Sequence, residues 1–262
     1  MFQPIGNAIS DIRESIGFRR LWIALAQENI GDQHRRTALG PLWLLVNYLI
    51  FIATFVFLFN GGSEPMYVAY VAIGLLIWFY LMEVISEGVT LFMLEESFIK
   101  GTRLPLPVYV MRLMMQSLIR NGYAMIGCLI ILLVSGVPLT LTWIWSGIGL
   151  FLILAITPAA ILVFAFLGAY APDSQYIVSN LMRVGMFITP VFWIYSGGGG
   201  GARDIFYRWN PFTYFLEIVR VPIISGEVPL FAFAVSLVTG LCLWIVALFL
   251  LGWLRKRVVF IL

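Results

Sequence analysis

The sequence predicts an all-α membrane protein with six transmembrane helices in a single domain. Of its 262 residues, 61% are hydrophobic and 11% are charged, whereas soluble domains have about 45–50% apolar and about 25% charged residues. The apolar residues gather in six runs, and about 20 such residues cross about 30 Å of hydrocarbon. Because backbone groups in lipid must pair within their own segment, each run is expected to be helical. No polar block is long enough for a second core, so 1–262 is predicted to be one transmembrane domain.

The predicted spans cover residues 41–60, 67–90, 108–135, 140–170, 175–196 and 229–254. The stretch from Asn121 to Pro172 carries no charge and is too long for one straight helix. A break at Ser135, Gly136 and Pro138 divides it into spans three and four.

The first 38 residues are predicted to form an amphipathic helix on the cytoplasmic face of the membrane. Phe18, Leu21, Trp22 and Leu25 recur at helical spacing among charged residues, which is typical of a helix that lies in the interface. The same tail holds no apolar run near its start, so no signal peptide is expected.

The segment 197–228, between spans five and six, is predicted to form an external re-entrant helical element. It begins with five glycines, Gly197 to Gly201, and continues with apolar residues interleaved with charged ones. This pattern is too polar to span and too apolar for free solution. An ordinary extracytoplasmic loop is the alternative.

The distribution of Lys and Arg predicts that both termini are cytoplasmic. Eleven of these residues flank one side: the N-terminal tail, the loop 95–105 with the start of span three, and the C-terminus. The opposite side holds three, Arg203, Arg208 and Arg220, and positive residues favour the cytoplasmic side. No basic stripe interleaved with aromatics lies on a polar surface, so no nucleic-acid partner is expected.

Several kinds of chemistry have no motif in this sequence. No GxxxxGK[ST] phosphate loop occurs, so the chain is not expected to hydrolyse ATP. His34 has no Cys or His at ligand spacing, and a metal site is not expected. Cys128 and Cys242 each lie in an apolar run and are not expected to form a disulfide.

Four charges inside or beside the spans are candidates for a gate or vestibule: Glu83, Glu87, Arg120 and Arg183. Glu83 and Glu87 share a helix face, and charges in a bilayer usually face the bundle interior or a water path. Pairing with Arg112 or Arg120, which would join spans two and three, is the alternative, and the two interpretations stay open. A paired-carboxylate catalyst is a weaker third.

Aromatic residues form a stripe on the first span. Tyr48, Phe51, Phe55 and Phe59 are spaced for one helix face, and Trp193 with Tyr195 closes span five. Such faces suit the apolar sides of sugar rings, which makes these residues candidates for contact with sugars. Packing against lipid or an interfacial aromatic belt is the alternative.

Four strings together resemble a known family. They are RRTALGPLWLLVNYLIF (35–51), EESFIKGTRLPLPVYV (95–110), ITPVFW (188–193) and NPFTYFLEIVR (210–220). In this order and at this chain length they resemble the permease subunits of type-2 ABC exporters, especially those that export O-antigen (the lipopolysaccharide side chain), capsule or teichoic acid. A glycine run follows ITPVFW where family members often have proline or a bulky polar residue.

The resemblance implies a transport subunit of the bacterial inner membrane rather than an enzyme. Two copies would form a homodimer, and two separate ATP-binding cassette subunits would bind ATP and Mg, so no cofactor is expected in this chain. The cargo would be a polysaccharide or lipid-linked glycan. Its translocation path would lie at the dimer interface, lined by spans one and five, so the resemblance makes the aromatic residues of these two spans candidates for that path.

The resemblance also assigns residues to two elements. The coupling helix would lie within 95–105, with Phe98 and Ile99 as its apolar contacts to the ATPase. Its residues are Glu95, Glu96, Ser97, Phe98, Ile99 and Lys100. The external re-entrant loop would include Asn210, Pro211, Glu217 and Arg220.

Three alternatives remain open. A type-2 ABC exporter of a drug, lipid or haem would share the fold. A membrane enzyme acting on polyprenyl-linked sugar would need acidic pairs, for which Glu83/Glu87 and Glu95/Glu96 are the candidates. A secondary transporter would usually have more spans and inverted repeats.

Overall fold

The computed structural model describes residues 3–35, 37–60, 65–102, 104–195 and 201–262. Within these ranges the regular secondary structure is helical, which confirms the predicted all-α class. In chain order the helices are α1 Gln3–Gly17, α2 Arg19–His34, α3 Leu42–Asn60, α4 Pro65–Leu94, α5 Glu96–Gly101, α6 Leu106–Val134, α7 Trp143–Tyr170, α8 Ser174–Ile188, α9 Ala202–Trp209, α10 Pro211–Ile224 and α11 Leu230–Ile261.

Five of the described helices, α3, α4, α6, α7 and α11, are long and apolar enough to cross a membrane. The predicted fifth span, 175–196, holds α8, which has 15 residues. At 1.5 Å per residue it is about 22 Å long, shorter than the hydrocarbon layer of about 30 Å. Residue 196 of that span lies outside the described residues.

Small residues let α4 and α7 approach closely at the centre of the bundle. A Cβ on Gly168 would collide with the carbonyl oxygen of Val89, and one on Gly88 would lie 3.5 Å from the Cα of Ile161. The hydroxyl groups of Tyr80 and Thr157 share a hydrogen bond of 2.9 Å between the same helices. Close backbone approach at small residues is a common way to pack helices in lipid.

Helix α10 packs on α7 through backbone carbonyls. Pro222 lies inside α10 and has no N–H to donate to the preceding turn. On α7, Thr142 donates to the carbonyl of Pro222 and Ser146 to that of Val219, each at 2.7 Å. Gly149 faces the carbonyl of Ile218, which a Cβ would meet at 2.7 Å. Hydroxyl groups at the start of α7 thus bind backbone carbonyls of α10 close to its internal proline.

The N-terminal segment forms two helices, where the sequence analysis expected one amphipathic helix over 1–38. The chain breaks at Phe18, which precedes α2. Helix α1 packs on the end of α11, where Arg255 forms an ion pair with Asp11 at 2.5 Å. Helix α2 lies along α6, and its Asn29 side chain donates to that of Gln116 at 3.5 Å.

Different helices therefore meet at the two ends of the bundle. One end brings together α1, α2, α5, the end of α4 and the start of α6. The other brings α9 and α10 to the starts of α4 and α7 and to the turn after α8. We call them the α5 end and the α10 end.

Candidate functional site

Three of the four candidate gate charges meet between α4 and α6. The guanidinium of Arg120 lies 2.9 Å from the carboxylate of Glu83 and 2.5 Å from that of Glu87. It also donates to the side-chain oxygen of Gln33 on α2, at 3.0 Å. We call these four residues the charge cluster. Arg183 is exposed on α8 and is not part of it.

A polar cavity of 340 Å³ extends from the charge cluster towards the α5 end. It lies between α2, α4 and α6, and Asn29, Gln116 and Arg112 line it together with Arg120. Arg112 forms an ion pair with Glu95, the residue that joins α4 to α5. The cavity therefore reaches the base of α5.

Two residues of the aromatic stripe on α3, the buried Phe55 and the exposed Phe59, contact aromatic residues from the fifth predicted span. Phe192 stacks on Phe55 at 4.8 Å and on Phe59 at 5.0 Å between ring centroids. Phe187 on α8 meets Phe192 edge-on at 5.4 Å. We call Phe55, Phe59, Phe187 and Phe192 the aromatic row.

The other two stripe residues have different surroundings. Tyr48 is buried, and its hydroxyl donates to the carbonyl of Ala72 on α4 at 2.7 Å. It therefore joins α3 to α4 and does not line an open surface. Phe51 is 47% exposed and meets Phe79 edge-on at 5.1 Å. Phe51 lies one helical turn from Phe55, beside the aromatic row.

The chain leaves α8 through a short non-helical turn, 189–193, which positions Phe192. Two tyrosines near the start of α4 hold its carbonyls. Tyr67 donates to the carbonyl of Phe192 at 2.7 Å. The hydroxyl of Tyr70 lies within hydrogen-bond distance of the carbonyls of Pro190, at 3.2 Å, and Trp193, at 3.0 Å. These bonds replace helical ones, as backbone buried in a membrane protein requires.

Arg220 on α10 holds the same turn from the other side. Its guanidinium donates to the carbonyls of Pro190 at 2.7 Å and Val191 at 3.4 Å, and it lies 3.7 Å from the ring centroid of Tyr70. Arg220 is 4% exposed and forms no ion pair with a described carboxylate. Carbonyl dipoles and the Tyr70 ring thus stabilise this buried cation.

The other predicted loop residues position α10. Asn210 caps the helix, since its side-chain oxygen accepts from the N–H of Phe212 at 3.0 Å. Its amide nitrogen donates to the hydroxyl of Thr189 at 2.7 Å. Pro211 occupies the first turn of the helix, where a missing N–H costs nothing. Two strings of the sequence analysis, ITPVFW and NPFTYFLEIVR, are therefore bonded to each other.

Glu217 also belongs to this region but contacts α9. Its carboxylate accepts a hydrogen bond from the hydroxyl of Tyr207, and burial raises the pKa of Glu217 above its usual range.

The aromatics that close the fifth predicted span face the same loop. Trp193 donates its indole N–H to the carbonyl of Phe187 at 3.2 Å. Tyr195 stacks on Tyr207 with 4.0 Å between ring centroids, and its hydroxyl donates to Asp204. That hydrogen bond lowers the pKa of Asp204. Of the glycine run, 197–200 lies outside the described residues, and Gly201 precedes α9.

The predicted coupling segment contains the short helix α5. Phe98 is 60% exposed, whereas Ile99 is 7% exposed and packs against its own chain. Lys100 and Glu96 form an exposed ion pair at 2.6 Å, and Ser97 is exposed beside them. Of the two apolar contacts assigned to this helix, Phe98 has a side chain free to meet another protein.

Sequence reasoning missed Phe192, Tyr67 and Tyr70. Phe192 lay within a quoted string, but its partners on α3 are more than 130 residues away in the sequence. The two tyrosines sit at helical spacing near the start of an apolar run, a pattern equally typical of an interfacial belt. Nothing in the neighbouring sequence indicates which backbone carbonyls these tyrosine hydroxyls bind.

Comparison with known proteins follows these observations. No family model matches the chain. It is 24% identical over 204 residues to an O-antigen export system permease protein of Myxococcus xanthus, covering 76% of this chain and 78% of the relative. It is 22% identical over 249 residues to a protein of the same name from Klebsiella pneumoniae, covering 90% of this chain and 93% of the relative. The chain is thus similar over most of its length to O-antigen export permeases, and this similarity confirms the resemblance predicted from the four strings.

Proposed function

We propose that this chain is the membrane-spanning permease subunit of an ATP-driven exporter that moves a cell-surface polysaccharide across the inner membrane. The likeness to two O-antigen export permeases over three quarters or more of the chain carries this proposal. Both relatives are named as permeases, which supports a transport subunit over an enzyme.

The proposed topology has six crossings, with both termini in the cytoplasm. Helix α8 alone is short, and turn 189–193, which follows it, is proposed to complete the fifth crossing. The α5 end then lies inside, with Arg112, Arg255 and the other basic residues of the tails. Helices α9 and α10 lie outside as the re-entrant element.

The proposed translocation path runs along the aromatic row. Phe59 and Phe187 are exposed, whereas Phe55 and Phe192 are buried by stacking against their neighbours. The two exposed rings offer a surface that the apolar faces of sugar rings can contact. Exposed apolar residues on α3 and α8, such as Phe57 and Ile177, provide a face for a second copy of the chain. A homodimer would enclose the row between its two halves.

ATP-driven movement is proposed to enter through α5. Two separate ATP-binding cassette subunits, which bind ATP and Mg, would press on the exposed ring of Phe98. Helix α4 ends next to α5 and begins, about 45 Å away, near Tyr67 and Tyr70. Its 30 residues would carry that movement to turn 189–193 and the aromatic row.

Depletion of this chain in the cell that makes it tests the proposal. Polysaccharide is then located by fractionation and by surface labelling with an impermeant reagent. Lipid-linked polymer trapped inside a bare cell supports export of that cargo. A normal surface coat after depletion contradicts the polysaccharide assignment.

A further inference from the structure

We propose that a second cavity, between α3, α4 and α6, is a binding subsite for a neutral sugar unit of the cargo. This proposal rests on the proposed function of the chain. It gives Asn47 and Asn121 the role of binding the sugar. The cavity has a volume of 240 Å³. Its lining includes Asn47, Phe51, Phe79, Glu83, Arg120 and Asn121.

The cavity has one aromatic and one polar wall. Phe51 and Phe79 form the aromatic wall, and the exposed face of Phe51 is available for stacking. Asn47, Asn121 and the Glu83–Arg120 pair form the polar wall. A ring face beside amide and carboxylate oxygens matches a pyranose, which has apolar C–H faces and a rim of hydroxyl groups. Ligand sites generally combine an apolar lining with a few converging polar groups.

The two asparagine amides have no hydrogen-bond partner among the described residues. Both lie in apolar helices, α3 and α6, where an unpaired amide costs free energy if lipid covers it. An amide offers two donors and an acceptor with two lone pairs. These groups are therefore available for a polyhydroxyl ligand.

The charge of the cavity discriminates between polar ligands. Arg120 is paired with two carboxylates: Glu83, which lines this cavity, and Glu87, which lines the neighbouring polar cavity. A phosphate group would have to compete with these two carboxylates for the guanidinium, whereas neutral hydroxyls can donate to Glu83 and accept from the asparagine amides. The cavity therefore favours a sugar unit over a phospholipid headgroup or the pyrophosphate of a lipid carrier.

The position of the cavity fits the start of a path. Eighteen uncharged residues of α4, from Pro65 to Met82, precede Glu83, and this length is about 27 Å of helix. The cavity thus lies near one boundary of the hydrocarbon layer, on the side of the α5 end. Phe51 lies about two turns from Phe59, the exposed residue of the aromatic row on α3, so a sugar leaving the cavity would move along α3 towards the row.

Photocrosslinking in living cells tests this proposal. The photoreactive amino acid p-benzoylphenylalanine replaces Asn121 in the full chain, and a matched chain carries it at Ile245, which is exposed on α11. After irradiation, the chain is purified, and attached glycan is detected by periodate oxidation and hydrazide tagging. The same cells blocked in polymer assembly serve as the second control.

We expect a light-dependent glycan adduct with the probe at 121, none with the probe at 245, and none in cells without polymer. A mass increase of a single phospholipid, or crosslinking at 121 to a second copy of the chain without glycan, would overturn the subsite. If depletion of the chain removes polysaccharide from the cell surface but the probe at 121 captures no glycan, the proposed export function is supported and the proposed subsite is wrong.

Conservative variants give a second measurement. Asn121→Leu is expected to slow the appearance of polymer at the surface by about fivefold, the effect of losing one net hydrogen bond. Asn121→Gln, which keeps the amide, should retain most of the rate. Equal rates for Asn121→Leu and the unchanged chain would contradict the subsite, provided that both are inserted at equal levels.

Discussion

Arg220 donates a hydrogen bond of 2.7 Å to the backbone carbonyl of Pro190, thirty residues earlier in the chain. This bond joins the buried face of α10 to the turn that carries Phe192. Because Phe192 stacks on Phe55 and Phe59, the position of the aromatic row depends on a cation that does not touch it. Helix α10 and the proposed path are therefore physically connected through this bond.

The first prediction concerns Arg220. Arg220→Met should leave the Pro190 and Val191 carbonyls without their donor and cost about 1–3 kcal/mol. We expect a melting temperature several degrees lower for the purified protein in detergent, together with reduced export. Arg208→Met is the matched control, because Arg208 is exposed and pairs with Asp204 on its own helix. Equal melting temperatures for the two variants would argue against the role given to Arg220.

A second prediction uses two glycines. A Cβ at Gly74 would lie 2.5 Å from the carbonyl oxygen of Val191 and would also collide with the Arg220 guanidinium. Gly74→Ala should therefore displace turn 189–193 and destabilise the protein by about 1–3 kcal/mol. Nothing lies within 4 Å of a Cβ at Gly122, so Gly122→Ala should be neutral or stabilising by up to about 1 kcal/mol. Melting temperatures and export rates of the two variants test this prediction. Equal values for Gly74→Ala and Gly122→Ala would contradict the close contact between Gly74 on α4 and turn 189–193.

A third prediction concerns the charge cluster. Arg120→Leu should leave Glu83 and Glu87 facing each other without a partner. Loss of one partner of a buried ion pair costs about 3–5 kcal/mol, and we expect about 2 kcal/mol because Glu87 is 40% exposed and screened by solvent.

Removing the stranded charges should restore stability. The triple variant Arg120→Leu, Glu83→Gln, Glu87→Gln is expected to have a melting temperature close to that of the unchanged protein. Its export rate should stay low if the charges serve the path. Full export by the triple variant would assign the cluster to packing between α4 and α6 alone. Melting curves and surface polymer in the same strains separate these roles.

The sequence made the all-α class and the approximate positions of the long helices predictable, because about 20 apolar residues leave few alternatives in lipid. Spacing also placed Glu83 and Glu87 on one face, and pairing with Arg112 or Arg120 was one of two interpretations. The structure pairs the two carboxylates with Arg120, whereas Arg112 pairs with Glu95. The length of α8 was not predictable. Turn 189–193 is as apolar as a helix, and its non-helical backbone is stabilised by Tyr67, Tyr70 and Arg220, all distant in sequence.

Surface properties within a helix were also hard to predict. Tyr48 and Phe51 belong to the same stripe, but Tyr48 is buried through its bond to Ala72, while Phe51 stays half-exposed. Phe98 and Ile99 are adjacent, yet one faces outward and one inward. Such differences depend on which neighbouring helix covers each face, and helical periodicity alone does not specify that. The break at Phe18 likewise depends on α1 and α2 packing against different helices.

A fourth prediction concerns α5. Phe98→Asp should leave the melting temperature nearly unchanged, because the side chain is exposed, but it should weaken docking of the ATPase. Burial of a phenylalanine contributes about 1.5–3 kcal/mol, so we expect at least tenfold less export. Phe260→Asp is the control, since Phe260 is 89% exposed at the end of α11. Ile99→Asp should instead lower the melting temperature, since Ile99 is buried.

The most direct measurement of the central claim is the rate at which newly made polysaccharide reaches the cell surface. Cells depleted of this chain receive a pulse of radiolabelled sugar, and labelled polymer accessible to an impermeant reagent is followed with time. We expect labelled polymer to be made at the normal rate but to stay inaccessible until the chain is expressed again. When the Phe98→Asp variant is expressed instead, the polymer should remain inaccessible. Labelled polymer that reaches the surface at the same rate without the chain would contradict the claim that this protein forms its route across the membrane.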